Sequence, residues 1–158
     1  MFNLLVKFYH QKDLADCLTL CGFNCIKCTK SNDFFLKEEA IKSIDVKYDT
    51  YKKIASQIWG YAEVGYKEQK KSAFLQQTLQ SNGFTVQAGV ANMPTAFVAS
   101  YGSGKPMIAI LAEYDALPGL SQDTVPENKP VAGSDAGHGC GHNLFGIASI
   151  AAGIEIKN

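Results

Sequence analysis

The run MIAILAEYDALP (107–118) places the strongest limit on what this chain can fold into. Apart from Glu113, residues 107–114 are apolar or aromatic, with no alternation between wet and dry positions. That pattern predicts a strand buried on both faces of a sheet. The strand ends on two carboxylates, Glu113 and Asp115. In open α/β sheets, sites gather at the carboxyl ends of strands, so both acids are candidate site residues. The plainer role for Asp115 is to form the turn before Pro118.

The segments before this strand have helical period. Ile41, Ile44, Tyr48, Tyr51, Ile54 and Ile58 recur at steps of three and four, which predicts one long helix ending near Trp59 and Gly60. A second helix is expected over 67–82, with Phe74, Leu75, Thr78 and Leu79 inward and Gly83 as its stop. FTVQA (84–88) and TAFVASY (95–101) read as strands, and GSGKP (102–106) as a turn. Residues 117–137 are rich in Pro, Gly, Ser, Asp and Asn and read as a long loop. LFGIASIAAGIEI (144–156) reads as a buried helix whose small residues allow close approach. This order predicts a layered α/β fold over 34–158. Residues 1–33 have no sustained period and are expected to form a poorly ordered extension outside it.

Composition narrows the function. Fifteen basic residues balance fifteen acidic ones, so no electrostatic footprint for nucleic acid is expected. The longest strongly apolar stretch, 144–154, is well short of the roughly 20 residues of a membrane span. The N-terminus carries no small-residue cleavage pattern, so no signal peptide is read and a cytoplasmic location is expected. In that compartment disulfides are disfavoured. Cys17, Cys21, Cys25 and Cys28 lack the paired knuckles of a zinc site and read as incidental. A redox role for the Cys25/Cys28 pair is the weaker alternative.

The stretch GHGCGHNLFG (137–146) carries the chemistry. It sets His138, Cys140 and His142 at alternate positions of a glycine-rich loop. Thiolate and neutral imidazole are preferred ligands of zinc and suit other borderline metals. Glu113 or Asp115 would then ligate the same ion, or hydrogen-bond a ligating histidine. Glu63 and Glu68 are either close to the site or, more plainly, part of a solvated helix entry, and Asp135 reads as a loop residue.

Three stretches together carry a resemblance: WGYAEVGYKE (59–68), residues 84–122 and GHGCGHNLFGIASIAA (137–152). They resemble the N-terminal part of the M20 metallopeptidase superfamily. Within it they look most like the amidohydrolase branch, which includes aminoacylase-like and indoleacetyl-amino-acid hydrolases. AEYDALPGLSQ followed by GHGCGHNL nearly reproduces the pattern of that branch's aminobenzoyl-glutamate hydrolases. The resemblance implies a zinc-peptidase-like (phosphorylase/hydrolase-like) α/β/α sandwich, here truncated. It implies a centre of two divalent metals (Zn, Mn or Co) that cleaves an N-acyl or N-aroyl amino acid such as p-aminobenzoyl-glutamate, or a dipeptide-like substrate. Cys140 and His142 match the family's two N-terminal metal ligands. His138, Asp115 and Glu113 match supporting positions, Glu113 standing where peptidase-type relatives carry a ligating histidine.

The family's Glu-Glu motif with its general base, its later ligands and its lid and dimerisation domain have no match in these residues. The chain is therefore expected to be an N-terminal fragment of a homo- or hetero-oligomeric enzyme, with no catalytic base of its own and inactive alone. The alternative is a non-catalytic metal-binding or protein-interaction fragment.

Overall fold

The computed structural model describes residues 4–9, 26–105 and 107–158. Its elements, in chain order, are β1 (Leu4–Tyr9), α1 (Ile26–Val46), α2 (Tyr48–Tyr61), α3 (Gln69–Ser81), β2 (Thr85–Ala88), β3 (Phe97–Tyr101), β4 (Met107–Ala112), β5 (Leu117–Pro118), β6 (Ala136–Gly137) and α4 (His142–Lys157). One mixed sheet has the order β2-β3-β1-β4, and β5 pairs with β6 in a short ribbon. The architecture is mixed α/β, as the element order predicts.

The expectation that residues 1–33 stand outside the fold is corrected for Leu4–Tyr9. This strand runs parallel to β3 and antiparallel to β4, between two strands joined by a short turn. Leu4 and Val6 are buried in the core beside Phe97, Ala99 and Ala112. Six residues without helical period are too short a signal to separate a strand from a leader. Cys28 lies within α1, so its backbone is helical, while Cys17, Cys21 and Cys25 lie outside the described residues.

The core forms on one face of the sheet. Alternate residues Leu4, Val6, Phe97, Ala99 and Ala112 meet Ile54, Ile58, Leu75, Leu79, Ile147, Ile150 and Ile154 from the helices. This corrects the expectation of a strand buried on both sides. In β4 only Ala112 is buried, while Met107, Ile108 and Leu111 are exposed. Met107 and Leu111 lie on the face opposite the core, which no described helix covers.

The predicted long helix is two. The chain turns at Lys47, and α2 begins at Tyr48. The apolar period runs through the break without Gly or Pro, so the sequence carries no signal for it. A tertiary contact holds the turn: the Lys47 ammonium donates to Glu155 Oε1 of α4 at 2.8 Å. Burial pushes the Glu155 carboxyl up, but hydrogen bonds from Lys47, Ser43 and Tyr51 and the Lys47 charge outweigh it and hold the pKa below its ordinary value. Between α2 and α4 lies an apolar groove of about 560 Å³, lined by Tyr48, Tyr51, Trp59, Leu144 and Ile147 among others. Among the described residues no helix is long and apolar enough to cross a membrane.

A depressed carboxylate contributes stability that is present above its unfolded pKa and lost as pH falls through its folded pKa. Glu155→Gln is expected to cost about 1 kcal/mol near neutral pH. It should also flatten the fall in stability as pH drops through and below the ordinary glutamate range of about 4–5. Urea denaturation of both proteins at each pH checks this.

Candidate metal centre

The end of β4 and the start of α4 meet through a close backbone approach. A Cβ built on Gly146 would stand 3.1 Å from the Glu113 carbonyl oxygen and 3.2 Å from Tyr114 Cβ. A side chain at this position would have to push the strand end or the helix away by a few tenths of an ångström. One turn earlier on the same helix, His142 then faces both acids. Its Nδ1 lies 2.8 Å from Asp115 Oδ1 and its Nε2 3.2 Å from Glu113 Oε2. Gly137 serves the loop in the same way, because a Cβ there would fall 1.9 Å from the Leu120 carbonyl oxygen.

The three side chains are half-buried, with 17% of Glu113, 23% of Asp115 and 20% of His142 exposed. A neutral imidazole has one N–H, yet both ring nitrogens face a carboxylate. One of the two contacts therefore requires a second proton or a cation between the groups. Glu113, Asp115 and His142 each offer a ligand atom, all within 4.8 Å of one another. One imidazole and two carboxylates suit a divalent ion such as zinc, manganese or cobalt. The donor set fits a divalent metal.

The other two residues of the motif stand apart from this group. Cys140 is a free, exposed thiol in the turn before α4 and is not among the three converging ligands. His138 is 5% exposed and points into a buried polar layer behind the acids. Its Nε2 lies 3.1 Å from Lys71 Nζ and 3.2 Å from the Ile58 carbonyl, and its ring packs against Trp59. Burial and then the Lys71 charge pull its pKa down to about 4, so at neutral pH the ring is uncharged. Asp135 is exposed in the loop, as expected.

This buried layer is what sequence reasoning missed. Glu68, assigned to a solvated helix entry, is fully buried and accepts a hydrogen bond from Thr95 Oγ1 at 2.8 Å. Glu63 is half-buried, and its carboxylate accepts from the backbone N–H groups of Lys70 and Lys71 at the start of α3. The Tyr114 hydroxyl donates to the Thr95 carbonyl, as does Ser72 Oγ. Burial pushes the Tyr114 phenol well above its ordinary range. Lys71 is fully buried, and burial pulls its ammonium down to about 8, with Glu63, Glu68 and Asp115 acting in the opposite sense. A signal for Lys71 did exist. It lies four residues before Leu75 and eight before Leu79, on the apolar stripe of the helix, whereas its neighbours Lys67 and Lys70 are exposed.

No protein-family model matches the chain. It is 47% identical over 116 residues to a subunit of the p-aminobenzoyl-glutamate hydrolase of Escherichia coli K12, a match covering 73% of this chain and 24% of the relative. It is 34% identical over 109 residues to thermostable carboxypeptidase 1 of Saccharolobus solfataricus, covering 66% of this chain and 27% of that protein. It is 27% identical over 132 residues to Xaa-Arg dipeptidase of mouse, covering 77% and 27%. The chain belongs to the M20 family of amidohydrolases and peptidases. It spans about a quarter of the length of these relatives. In this M20 chain the strand-end acids and the loop histidine, distant in sequence, converge on one point.

Gly146→Val is expected to force α4 off the strand end and cost about 1–3 kcal/mol. Urea denaturation measures that cost. Ala148→Val, at an exposed position of the same helix, is the control and should cost less than about 1 kcal/mol.

Proposed function

We propose that this chain carries part of the metal centre of an amide hydrolase acting on an N-acyl or N-aroyl amino acid, such as p-aminobenzoyl-glutamate, or on a dipeptide-like substrate. The observation that carries the reading is the convergence of Glu113, Asp115 and His142. It lies within a chain that is 47% identical to a p-aminobenzoyl-glutamate hydrolase subunit. Residues 34–158 are proposed as the N-terminal part of the catalytic domain, of the α/β/α sandwich class, with Leu4–Tyr9 contributing the strand between β3 and β4. That relative is one subunit of its enzyme, which supports a homo- or hetero-oligomeric whole protein here. A cytoplasmic location is part of the same proposal.

His142 and Cys140 are the proposed protein ligands, with Asp115 and Glu113 supporting them. A bound divalent ion would lower the pKa of a water and polarise the scissile carbonyl. Asp115, 2.8 Å from His142 Nδ1, would orient the ring with Nε2 toward the ion. Glu113 adds negative charge on the other side of the ring. His138 stays neutral behind them and leaves the charge balance of the site to the two acids. The general base of the whole centre is proposed to come from outside residues 34–158.

A second reading has its own observation. Met107, Ile108 and Leu111 expose apolar surface along the edge strand β4, which suits a protein-interaction fragment that keeps the metal group without turnover.

Calorimetry with Zn²⁺, Mn²⁺ and Co²⁺ tests the first reading. The 158-residue chain is expected to bind a divalent ion, and His142→Ala to abolish that binding. With Co²⁺, a thiolate-to-metal charge-transfer band is expected and should vanish in Cys140→Ser. The chain alone is expected to hydrolyse no p-aminobenzoyl-glutamate. Absence of metal binding would reject the reading, and binding without the thiolate band would remove Cys140 from the ligand set.

A further inference from the structure

We propose that Lys71 is a positioning residue that fixes the distance between the two halves of the candidate metal centre. The proposal rests on the metal-centre reading above. The Lys71 ammonium lies within hydrogen-bond reach of three acceptors from three separate segments. It donates to the Glu63 carbonyl at 2.8 Å and to the Tyr114 carbonyl at 3.1 Å, and lies 3.1 Å from His138 Nε2. An ammonium has three N–H donors, so these acceptors use all of them. Lys71 is fully buried, and no water competes for those bonds.

The places it reaches are what make this more than packing. The Tyr114 carbonyl belongs to the residue between Glu113 and Asp115, so the bond sets the backbone from which both carboxylates project. His138 opens the turn that leads through Cys140 to His142, so the contact at its ring sets that loop. Glu63 closes the group twice. Its carbonyl accepts from Lys71 Nζ and from Ala116 N–H, and its carboxylate caps the backbone of Lys70 and Lys71. One cation thus ties the strand end, the motif loop and the start of α3 together.

The proposed bond from Lys71 to His138 requires one tautomer. His138 Nε2 faces both Lys71 Nζ and the Ile58 carbonyl. A protonated Nε2 would donate to the Ile58 carbonyl, whereas an unprotonated Nε2 accepts from Lys71 and gives up the Ile58 bond. Acceptance from Lys71 places the single imidazole proton on Nδ1, which has no hydrogen-bond partner among the described residues. The buried Nδ1–H is a desolvation cost that the contact with Lys71 offsets.

Two measurements on the whole chain test this. Nitrogen NMR of the wild-type protein should find His138 as the Nδ1–H tautomer, and an Nε2–H tautomer would overturn the proposal. Lys71→Met keeps the length and apolar stem of the side chain and removes the three donors. It is expected to weaken zinc binding about 10–100-fold, the range for lost support around a ligand group. Leu79→Ala, which opens the core of the same helix away from the site, should lower stability without that loss of affinity. If the wild type binds zinc and Lys71→Met binds it equally, the positioning role is wrong and the metal-centre reading stands. If the wild type binds no zinc, the metal-centre reading fails first. Should Lys71→Met not fold, the tautomer and the zinc affinity of His138→Phe decide: a normal affinity there would also overturn the proposal.

Discussion

The contact on which the site depends is the approach of α4 to the end of β4 at Gly146. A helix normally stands off a sheet by the thickness of its side chains. Here a missing side chain lets the helix touch the Glu113–Tyr114 backbone, with a virtual Cβ only 3.1 Å from a carbonyl oxygen. That closeness brings His142 within hydrogen-bond distance of two carboxylates that are 27 and 29 positions earlier in the chain. The apolar residues Ile147, Ile150 and Ile154 on the same helix bury against the sheet and hold it there. Packing and site geometry are therefore one arrangement.

Behind that contact lies a polar layer that is unusual for so small a core. Glu68, Lys71, Ser72, Thr95 and His138 are all buried, as is the aromatic Tyr114. Buried polar groups are tolerated when their hydrogen bonds are made, and here they are made across segments. α3 supplies a cation and the Ser72 hydroxyl, the segment before β3 supplies the Thr95 hydroxyl and carbonyl, the end of β4 supplies the Tyr114 carbonyl, and the motif loop supplies an imidazole. An apolar core would fill the same space, but it would not fix the direction of each peptide group behind the acids. The layer gives the ligand side chains a rigid support, which a preorganised metal site needs.

The opposite face of the sheet is built differently. Leu111 and Met107 of β4 point their apolar side chains into solvent, and no described helix covers them. The chain spans about a quarter of the length of its relatives. The one-sided sheet and the family membership agree in describing a half-covered α/β unit, on which Glu113, Asp115 and His142 converge. Apolar surface of this kind on an edge strand is also where unwanted pairing begins.

The sequence by itself determined the element types, because period and turn residues are local properties. Helical spacing from Ile54 to Leu79, the strand at 107–112 and the small-residue helix from Leu144 are all present in the structure. It also named Glu113, Asp115 and His142 as candidates, since an acid pair at a strand end and a histidine in a glycine loop are visible as strings. Only the tertiary structure decided which of them meet. It separated His138 from His142, because residues four apart on a turn and helix start face different layers, and it left Cys140 exposed outside the group. It recruited Leu4–Tyr9 into the middle of the sheet and broke the first helix at Lys47, both through partners far along the chain. It buried Lys71 and Glu68, whose charges locally favour solvent, because distant carbonyl, imidazole and hydroxyl groups replace the water they lose. Long-range pairing of this kind leaves no periodic trace, and that is why it had to be seen in three dimensions.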